Sequence, residues 1–360
     1  MTGGEREVGV SDPGERSAPA GGSSEEWAAD RPTRVAICVA TCRRPQGLRG
    51  LLDGIDRQVY TKEPTPDLRV IVVENGAPGG ASDVCAAVRP SWGWHLHYDS
   101  EPRLGIPYAR NRALRCAGPW AEFIVFIDDD EVPEPSWLDE LLHVQRVYGA
   151  DVVNGALLRR YQDAVPDWMV RGGFLEPKHR PTGTRRERAT TGNTLVRKAV
   201  FDAVGEFDER FALSGGSDTH FFLRARLRGF TIVWANEAVV YEDVPPGRAT
   251  LGWFLRRSFR VGNTWSLCER DLRPGSRVRL ALREVRKLAR GIVGLPPALL
   301  SGKPATVHSL RRICEAAGNI SGVFGYRYQE YRPSGWMMAQ RNEAATSRPG
   351  VHPAGSSADG

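Results

Sequence analysis

The run Phe123-Ile124-Val125-Phe126-Ile127 leads directly into Asp128-Asp129-Asp130-Glu131. Five large apolar side chains in a row, without alternation, fit a strand buried on both faces at the centre of a parallel sheet. Four carboxyl groups at the end of that strand repel one another unless a cation joins them. In open α/β sheets the mouth at the carboxyl ends of the strands is where ligands bind. Hard oxygen donors on a short turn suit Mg²⁺ or Mn²⁺, and such a cation suits a diphosphate. A solvated acidic turn that caps the next helix is the other reading of these residues.

Strand-like and helical patterns alternate on either side of this run. The periodicity predicts strands at 34–40, 68–73, 95–98 and 123–127, with helices at 48–55, 82–88, 107–116 and 134–148. This is a βαβα rhythm, which calls for a parallel sheet with helices on its faces. Asp128 then closes the fourth strand. After a strand at 152–159, residues 161–188 form a polar stretch with Pro and Gly that is too long for an ordinary connection, so a lid or binding loop is expected. Strands at 193–196, 231–234 and 238–241 and helices at 198–204 and 218–228 complete a less regular second half.

Composition bounds the rest. The apolar fraction of 41% suits a globular chain with a large core. The first thirty or so residues and the last seventeen are rich in Gly, Ser, Pro and charge, so both tails are expected to be disordered. No basic n-region precedes an apolar h-region, so a cytoplasmic location is expected. The six cysteines are scattered without a CxxC pair and read as reduced thiols. No apolar stretch reaches the roughly 20 residues of a spanning helix.

The net charge of +6 is unevenly spread, because residues 256–290 carry eleven Arg and Lys against three acids. Within them Val278, Ala281, Leu282, Val285, Leu288, Ala289 and Ile292 recur at helical spacing, with Arg279, Arg283, Arg286, Lys287 and Arg290 on other faces. Such a basic amphipathic helix suits peripheral contact with an anionic membrane, here the inner face of the plasma membrane. It equally suits packing on its own domain with the arginines in solvent.

Four more segments accompany the acidic run: Val39-Ala40-Thr41-Cys42-Arg43-Arg44-Pro45, Val72-Val73-Glu74-Asn75-Gly76, Leu104-Gly105-Ile106-Pro107-Tyr108-Ala109-Arg110-Asn111 and Gly215-Gly216-Ser217-Asp218-Thr219-His220. Together they resemble the family 2 glycosyltransferases over about residues 34–263. The resemblance implies the α/β GT-A fold, a Rossmann-like nucleotide-binding mixed sheet flanked by helices, here with a C-terminal helical extension. Domain limits follow: a tail at 1–31, the GT-A domain at 32–248 with a nucleotide half (32–150) and an acceptor half (151–248), a basic helical extension at 249–335 and a tail at 336–360.

The resemblance also implies roles. Thr41 inherits a contact to base or ribose, although Ala40 replaces the family's Pro. Glu74 stands where an Asp accepts from the imide of a pyrimidine. Arg110 and Asn111 lie in the helix start beneath the nucleotide, where free N–H groups and a guanidinium suit anions. Asp130 becomes the direct metal ligand, Asp128 a ribose or metal-water ligand, Asp129 the variable middle residue and Glu131 a support. Asp218 matches the general base that takes the acceptor's proton in inverting members, a step worth about 10²–10⁴-fold. Ser217 replaces the family's Glu, and Ser217 or Asp218 also reads as a helix N-cap. Arg256 and Arg260 resemble an arginine-rich lid that clasps the diphosphate, without its full Gln-x-x-Arg-Trp. Glu242 stands where some members place a metal-binding His.

The nearest likeness is to bacterial exopolysaccharide glycosyltransferases of the succinoglycan type, which add single sugars to lipid-linked oligosaccharides. The implied activity is an inverting transfer, dependent on Mg²⁺ or Mn²⁺, from a nucleoside-diphosphate sugar, UDP-linked by analogy, to a hydroxyl of a sugar or lipid-linked acceptor. A nucleotidyltransferase would carry a Gly-rich phosphate loop after the first strand, and residues 41–45 have none. A noncatalytic nucleotide-sugar-binding or scaffold protein finds its best support in Ser217. Nucleic acid is not an expected partner, since only the basic charge points to it and no binding motif accompanies it.

Overall fold

The computed structural model describes residues 31–330 except 89, 91–92, 162–164, 176–179, 274 and 276. The tails expected to be disordered lie outside the described residues, apart from residue 31, as does the end of the helical extension at 331–335. The first elements alternate as the pattern predicts: β1 (Arg34–Thr41), α1 (Pro45–Asp56), β2 (Asp67–Asn75), α2 (Ala81–Ala87), β3 (His95–Glu101), α3 (Ile106–Ala117) and β4 (Phe123–Phe126). There follow β5 (Glu131–Pro133), α4 (Trp137–Tyr148), β6 (Val152–Tyr161), α5 (Asp167–Arg171), β7 (Thr194–Arg197), α6 (Lys198–Val204), α7 (Ser217–Leu227) and β8 (Ile232–Val244). Helices α8 (Leu251–Leu272), α9 (Arg277–Val293), α10 (Leu295–Leu300) and α11 (Lys303–Val323) close the described chain.

All eight strands form one mixed sheet in the order β3-β2-β1-β4-β7-β6-β8-β5. Strands β3, β2, β1 and β4 run parallel, and β7 turns the sense by pairing antiparallel with both β4 and β6. The chain steps outward from β1 to β2 and β3 and then returns to the other side of β1 with β4. The crevice between the carboxyl ends of β1 and β4 is therefore a topological switch point. Thr41 and Asp128 stand at its two rims.

Packing, more than capping, holds the helices. Helix α1 has no side-chain N-cap, a deficit of about 1 kcal/mol. Its Leu48, Leu51, Leu52 and Ile55 are fully buried, and each contributes about 1.5–3 kcal/mol. These four side chains pack with Trp137 and Leu141 of α4 on one face of the sheet. On the other face Phe126 meets Phe207 edge-on at 5.3 Å, and Phe201 stacks on Phe221 of α7 at 4.6 Å.

Two features differ from the pattern. The strands expected at 231–234 and 238–241 are one strand, β8, whose pairing with β6 jumps from Gly155↔Ala235 to Ala156↔Val239. The intervening residues 236–238 form a bulge, so the polar Asn236 and Glu237 interrupt the apolar pattern without ending the strand. The second is β5, three residues long, which pairs antiparallel with β8 so that Glu131 faces Glu242. The polar stretch at 161–188 includes α5, whose buried Trp168 and Met169 pack with Phe254 of α8 and Val307 of α11.

Candidate active site

The acidic turn lies between Ile127 and β5 and is closed by two backbone contacts. The amide of Glu131 donates to the Asp128 carbonyl at 3.1 Å, and the Asp128 amide donates to Glu131 Oε2 at 3.0 Å. Residue 192 has to be small here, because a Cβ on Gly192 would sit 2.6 Å from Glu131 Oε1 and 3.4 Å from Asp128 Oδ2. The segment Thr190-Thr191-Gly192-Asn193 thus passes directly beside the carboxyls.

The four acids have different partners. Asp129 is buried, its Oδ2 accepting from Thr41 Oγ1 at 2.7 Å and its Oδ1 from Arg44 Nη1 at 3.1 Å. Arg44 Nη1 also reaches Asp130 Oδ2 at 2.7 Å. Asp128 Oδ1 accepts from Arg110 Nη2 at 3.3 Å. Burial pushes the Asp128 carboxyl up to about 6 against the pull of Arg110, and Asp130, Asp129 and Asp218 push the same way. The Asp128 carboxyl lies deep in the cleft yet keeps access to water, so solvent screens part of that rise. Burial and then the Asp128 charge raise Glu131 well above the ordinary range. Burial raises the Asp129 carboxyl as well, against the pull of Arg44, so four acids face two guanidiniums and three of the carboxyls are held against ionisation. A hard-oxygen donor set with this surplus of negative charge fits Mg²⁺ or Mn²⁺.

Several expected nucleotide contacts are instead bonded within the chain. Thr41 is buried and its hydroxyl proton goes to Asp129, which makes Asp129 a tie between β1 and the acidic turn where a variable middle residue was expected. Glu74, also buried, accepts from the amides of Gly79 at 2.6 Å and Ala81 at 3.3 Å through Oε1, and from the Tyr98 hydroxyl at 2.7 Å through Oε2. It closes the start of α2, with both oxygens occupied before any base arrives. Asn111 exchanges two 2.9 Å bonds with the backbone of Phe207 and pins α3 to the chain before α7. Of these residues Thr41 and Arg110 reach the acidic turn, the first through Asp129 and the second through Asp128, and the Arg110 guanidinium also lies near the Phe207 ring at 5.9 Å.

Asp218 occupies the first turn of α7 and lies within the field that raises Asp128. The helix cap is Gly216, with no side-chain capping bond, so neither Ser217 nor Asp218 is the N-cap. Gly216 has φ of +96°, and a Cβ there would collide with Thr264 Cγ2 of α8. Only glycine meets both demands. Asp218 Oδ1 accepts from the Thr219 amide at 2.7 Å, which orients the carboxyl. Ser217 is buried and its hydroxyl has no partner among the described residues.

The arginine segment is arranged differently from the expected lid. Arg256 is exposed, and Arg260 Nε lies 3.5 Å from Glu330 Oε2. Glu242, opposite Glu131, is gripped by Arg159 at 3.2 Å and Arg248 at 2.8 Å. Beside them Arg257 lies 5.2 Å from the Trp253 ring, exposed to solvent, with Arg260, Arg159 and Arg248 near enough for their charges to oppose its own. A cluster of arginines therefore adjoins the acidic turn across the β5–β8 pair. Arg44, Arg159, Arg248 and Arg257 were not singled out from the sequence; the partners of Arg44 and Arg159 are 85 and 83 residues away along the chain.

Comparison with known proteins matches this arrangement to a family. The model of the glycosyl transferase family 2 matches residues 36–205. The succinoglycan biosynthesis protein ExoM of Rhizobium meliloti is 37% identical over 236 residues, 64% of this chain and 73% of that one. Glycosyltransferase AglE of Haloferax volcanii is 24% identical over 275 residues, 74% of this chain and 84% of that one. Among solved structures, the mannosyltransferase PcManGT from Pyrobaculum calidifontis in complex with GDP-Man and Mn²⁺ is 18% identical, with a TM-score of 0.49 covering 89% of this chain and 82% of that one. The match to ExoM extends through most of both chains and, with the acidic turn at the switch point of a mixed GT-A sheet, the chain belongs to glycosyl transferase family 2.

Proposed function

We propose that this glycosyltransferase moves a sugar from a nucleoside-diphosphate donor to an acceptor hydroxyl with inversion, in the assembly of a polysaccharide or glycoconjugate. The observation that carries the reading is that Asp218, in the first turn of α7, stands near enough to the acidic turn for its charge to bear on Asp128. Asp130 and Asp128 would hold Mg²⁺ or Mn²⁺, with Glu131 behind them. When bound, that cation neutralises charge on the departing diphosphate. Arg110 orients Asp128, and the cluster of Arg159, Arg248 and Arg257 is suited to steady a second anionic portion of the donor or acceptor.

In the transfer, the acceptor oxygen forms a bond to the anomeric carbon as the bond from that carbon to the diphosphate oxygen breaks. The acceptor's proton passes to Asp218, which the Thr219 amide keeps oriented. Polysaccharide assembly is supported by the likeness to ExoM, a succinoglycan biosynthesis protein. A lipid-linked acceptor fits that assignment. UDP is the proposed nucleotide, and UDP- and GDP-sugars form the panel because Glu74 is already bonded within the chain.

The test is binding and turnover of that panel with Mg²⁺ or Mn²⁺ for the wild type, Asp130→Ala and Asp218→Asn. Wild type should bind at least one donor in a metal-dependent way, Asp130→Ala should lose that dependence, and Asp218→Asn should bind donor normally while losing about 10²–10⁴-fold in transfer. Intact metal-dependent binding in Asp130→Ala would sink the metal assignment. Full transfer by Asp218→Asn would sink the base.

A further inference from the structure

Helix α9 turns its apolar stripe away from the protein. Val278, Leu282, Val285, Ala289 and Ile292 follow one another at steps of four, three, four and three residues, a single face of the helix. Val278 is 73% exposed, Leu282 53% and Ile292 54%. The buried side is the opposite one: Leu280, Glu284 and Gly291 are buried, and Lys287 pairs with Glu315 of α11 at 2.7 Å. A Cβ on Gly291 would lie 2.8 Å from Ile313 Cγ1, so α9 meets α11 closely along that line. The apolar side was expected either to pack on the domain or to meet a membrane, and among the described residues it does not pack.

The exposed face has a consistent border and extension. Arg279, Arg286 and Arg290 line one edge, exposed and without a carboxylate at ion-pair distance among the described residues. Helix α10, next along the chain, exposes two further apolar side chains, Leu299 and Leu300, the latter 92% exposed. No helix among the described residues is long and apolar enough to cross a membrane. A helix of this kind, apolar on one side and arginine-bordered, partitions into the boundary between headgroups and acyl chains.

We propose that α9 and α10 dock this protein on an anionic membrane surface, the apolar stripe entering the headgroup boundary while Arg279, Arg286 and Arg290 meet lipid phosphates. Charge decides between this occupant and a second copy of the chain. An antiparallel two-fold interface through the same face would bring two arginine borders together and a parallel one would leave both without a counter-charge, whereas anionic headgroups complement them. Docking also links to the proposed chemistry by contact: α9 packs on α11, α11 on α8, and α8 on α7, which carries Asp218. The proposal deepens the lipid-linked acceptor reading but does not need the donor assignment to be right.

Flotation of the full chain with vesicles of phosphatidylcholine, with and without phosphatidylglycerol, tests it. Wild type should float only with the anionic vesicles and should be released by salt. The variant R279Q/R286Q/R290Q should bind roughly a hundred-fold more weakly. The variant V278S/L282S/I292S should also lose binding, with its melting temperature and donor hydrolysis unchanged, because the replaced side chains are exposed. Wild type that stays unbound, or either variant floating like wild type, overturns the proposal. So does a solution dimer that the apolar variant dissolves in the absence of vesicle binding. Protein that floats as described but turns over no nucleotide sugar overturns the catalytic reading alone.

Discussion

At the scale of single residues, the site depends on contacts that fix the backbone as much as on the acids themselves. Gly216 combines a left-handed φ with close approach to Thr264 and sets the direction from which Asp218 enters the cleft. Gly216→Ala should therefore destabilise the protein by about 1–3 kcal/mol and lower transfer more than donor binding. Urea unfolding and a kcat-against-KM comparison check both, and wild-type stability in this variant would show that the turn is not constrained as described. Residue roles were only partly legible in the sequence. The Asp128–Glu131 run and Asp218 stand out because carboxylates after a strand, or at a helix start, are visible along the chain. The partners of Glu74 are not, since Gly79, Ala81 and Tyr98 are 5, 7 and 24 residues away and only the fold brings all three to one carboxylate. Arg44 escaped notice for the same reason, being 85 residues from Asp129.

At the scale of elements, α7 is tied to α8 by a buried imidazole. His220 Nε2 bonds Asp271 at 2.9 Å, Asp208 lies 3.9 Å from its Nδ1, and Arg210 bridges the two carboxylates. Burial lowers the His220 pKa from 6.5, and Arg224 adds to the fall, against the pull of Asp271 and Asp208. The unfolded chain therefore takes up a proton more readily than the folded one. Stability from this group is present in full above pH 6.5 and declines as pH falls through the lower folded pKa. Asp208 and Asp271, held below the ordinary carboxylate range, add loss of the same sign only at lower pH, beneath 3.8. Urea midpoints at pH 7.5 and pH 5.5 should thus differ more for wild type than for His220→Gln, and equal slopes would remove His220 from this account. Elements were well legible where apolar runs were long, as in β1, β2 and β4. The three-residue β5 and the bulged β8 were not, because Glu-Val-Pro has no periodicity to read and Asn236-Glu237 imitates a turn. A helical stripe such as that of α9 reveals an apolar face but not which neighbour it meets.

At the scale of the whole molecule, the acidic turn gathers parts from distant elements: β1 through Thr41, the start of α1 through Arg44, α3 through Arg110, β8 through Glu242 opposite Glu131. Such a centre would push the fold apart if its charges stood alone. Arg44 Nη1, lying between Asp129 and Asp130, supplies an internal counter-ion beside Asp130, the carboxylate proposed to hold the divalent cation. Removing metal with EDTA should therefore leave the wild-type melting temperature almost unchanged, while Arg44→Gln should melt lower without metal and recover stability on adding Mn²⁺. The same variant should bind Mn²⁺ about tenfold more tightly in the absence of nucleotide, since only molecules with Arg44 displaced are competent to load. Calorimetry of metal binding decides it, and an unchanged affinity would mean that arginine and metal occupy the cleft together. If Arg44 does compete, the enzyme has a rest position: its charge is balanced from within until substrate-bound metal arrives, and each turnover begins by exchanging a tethered cation for a free one.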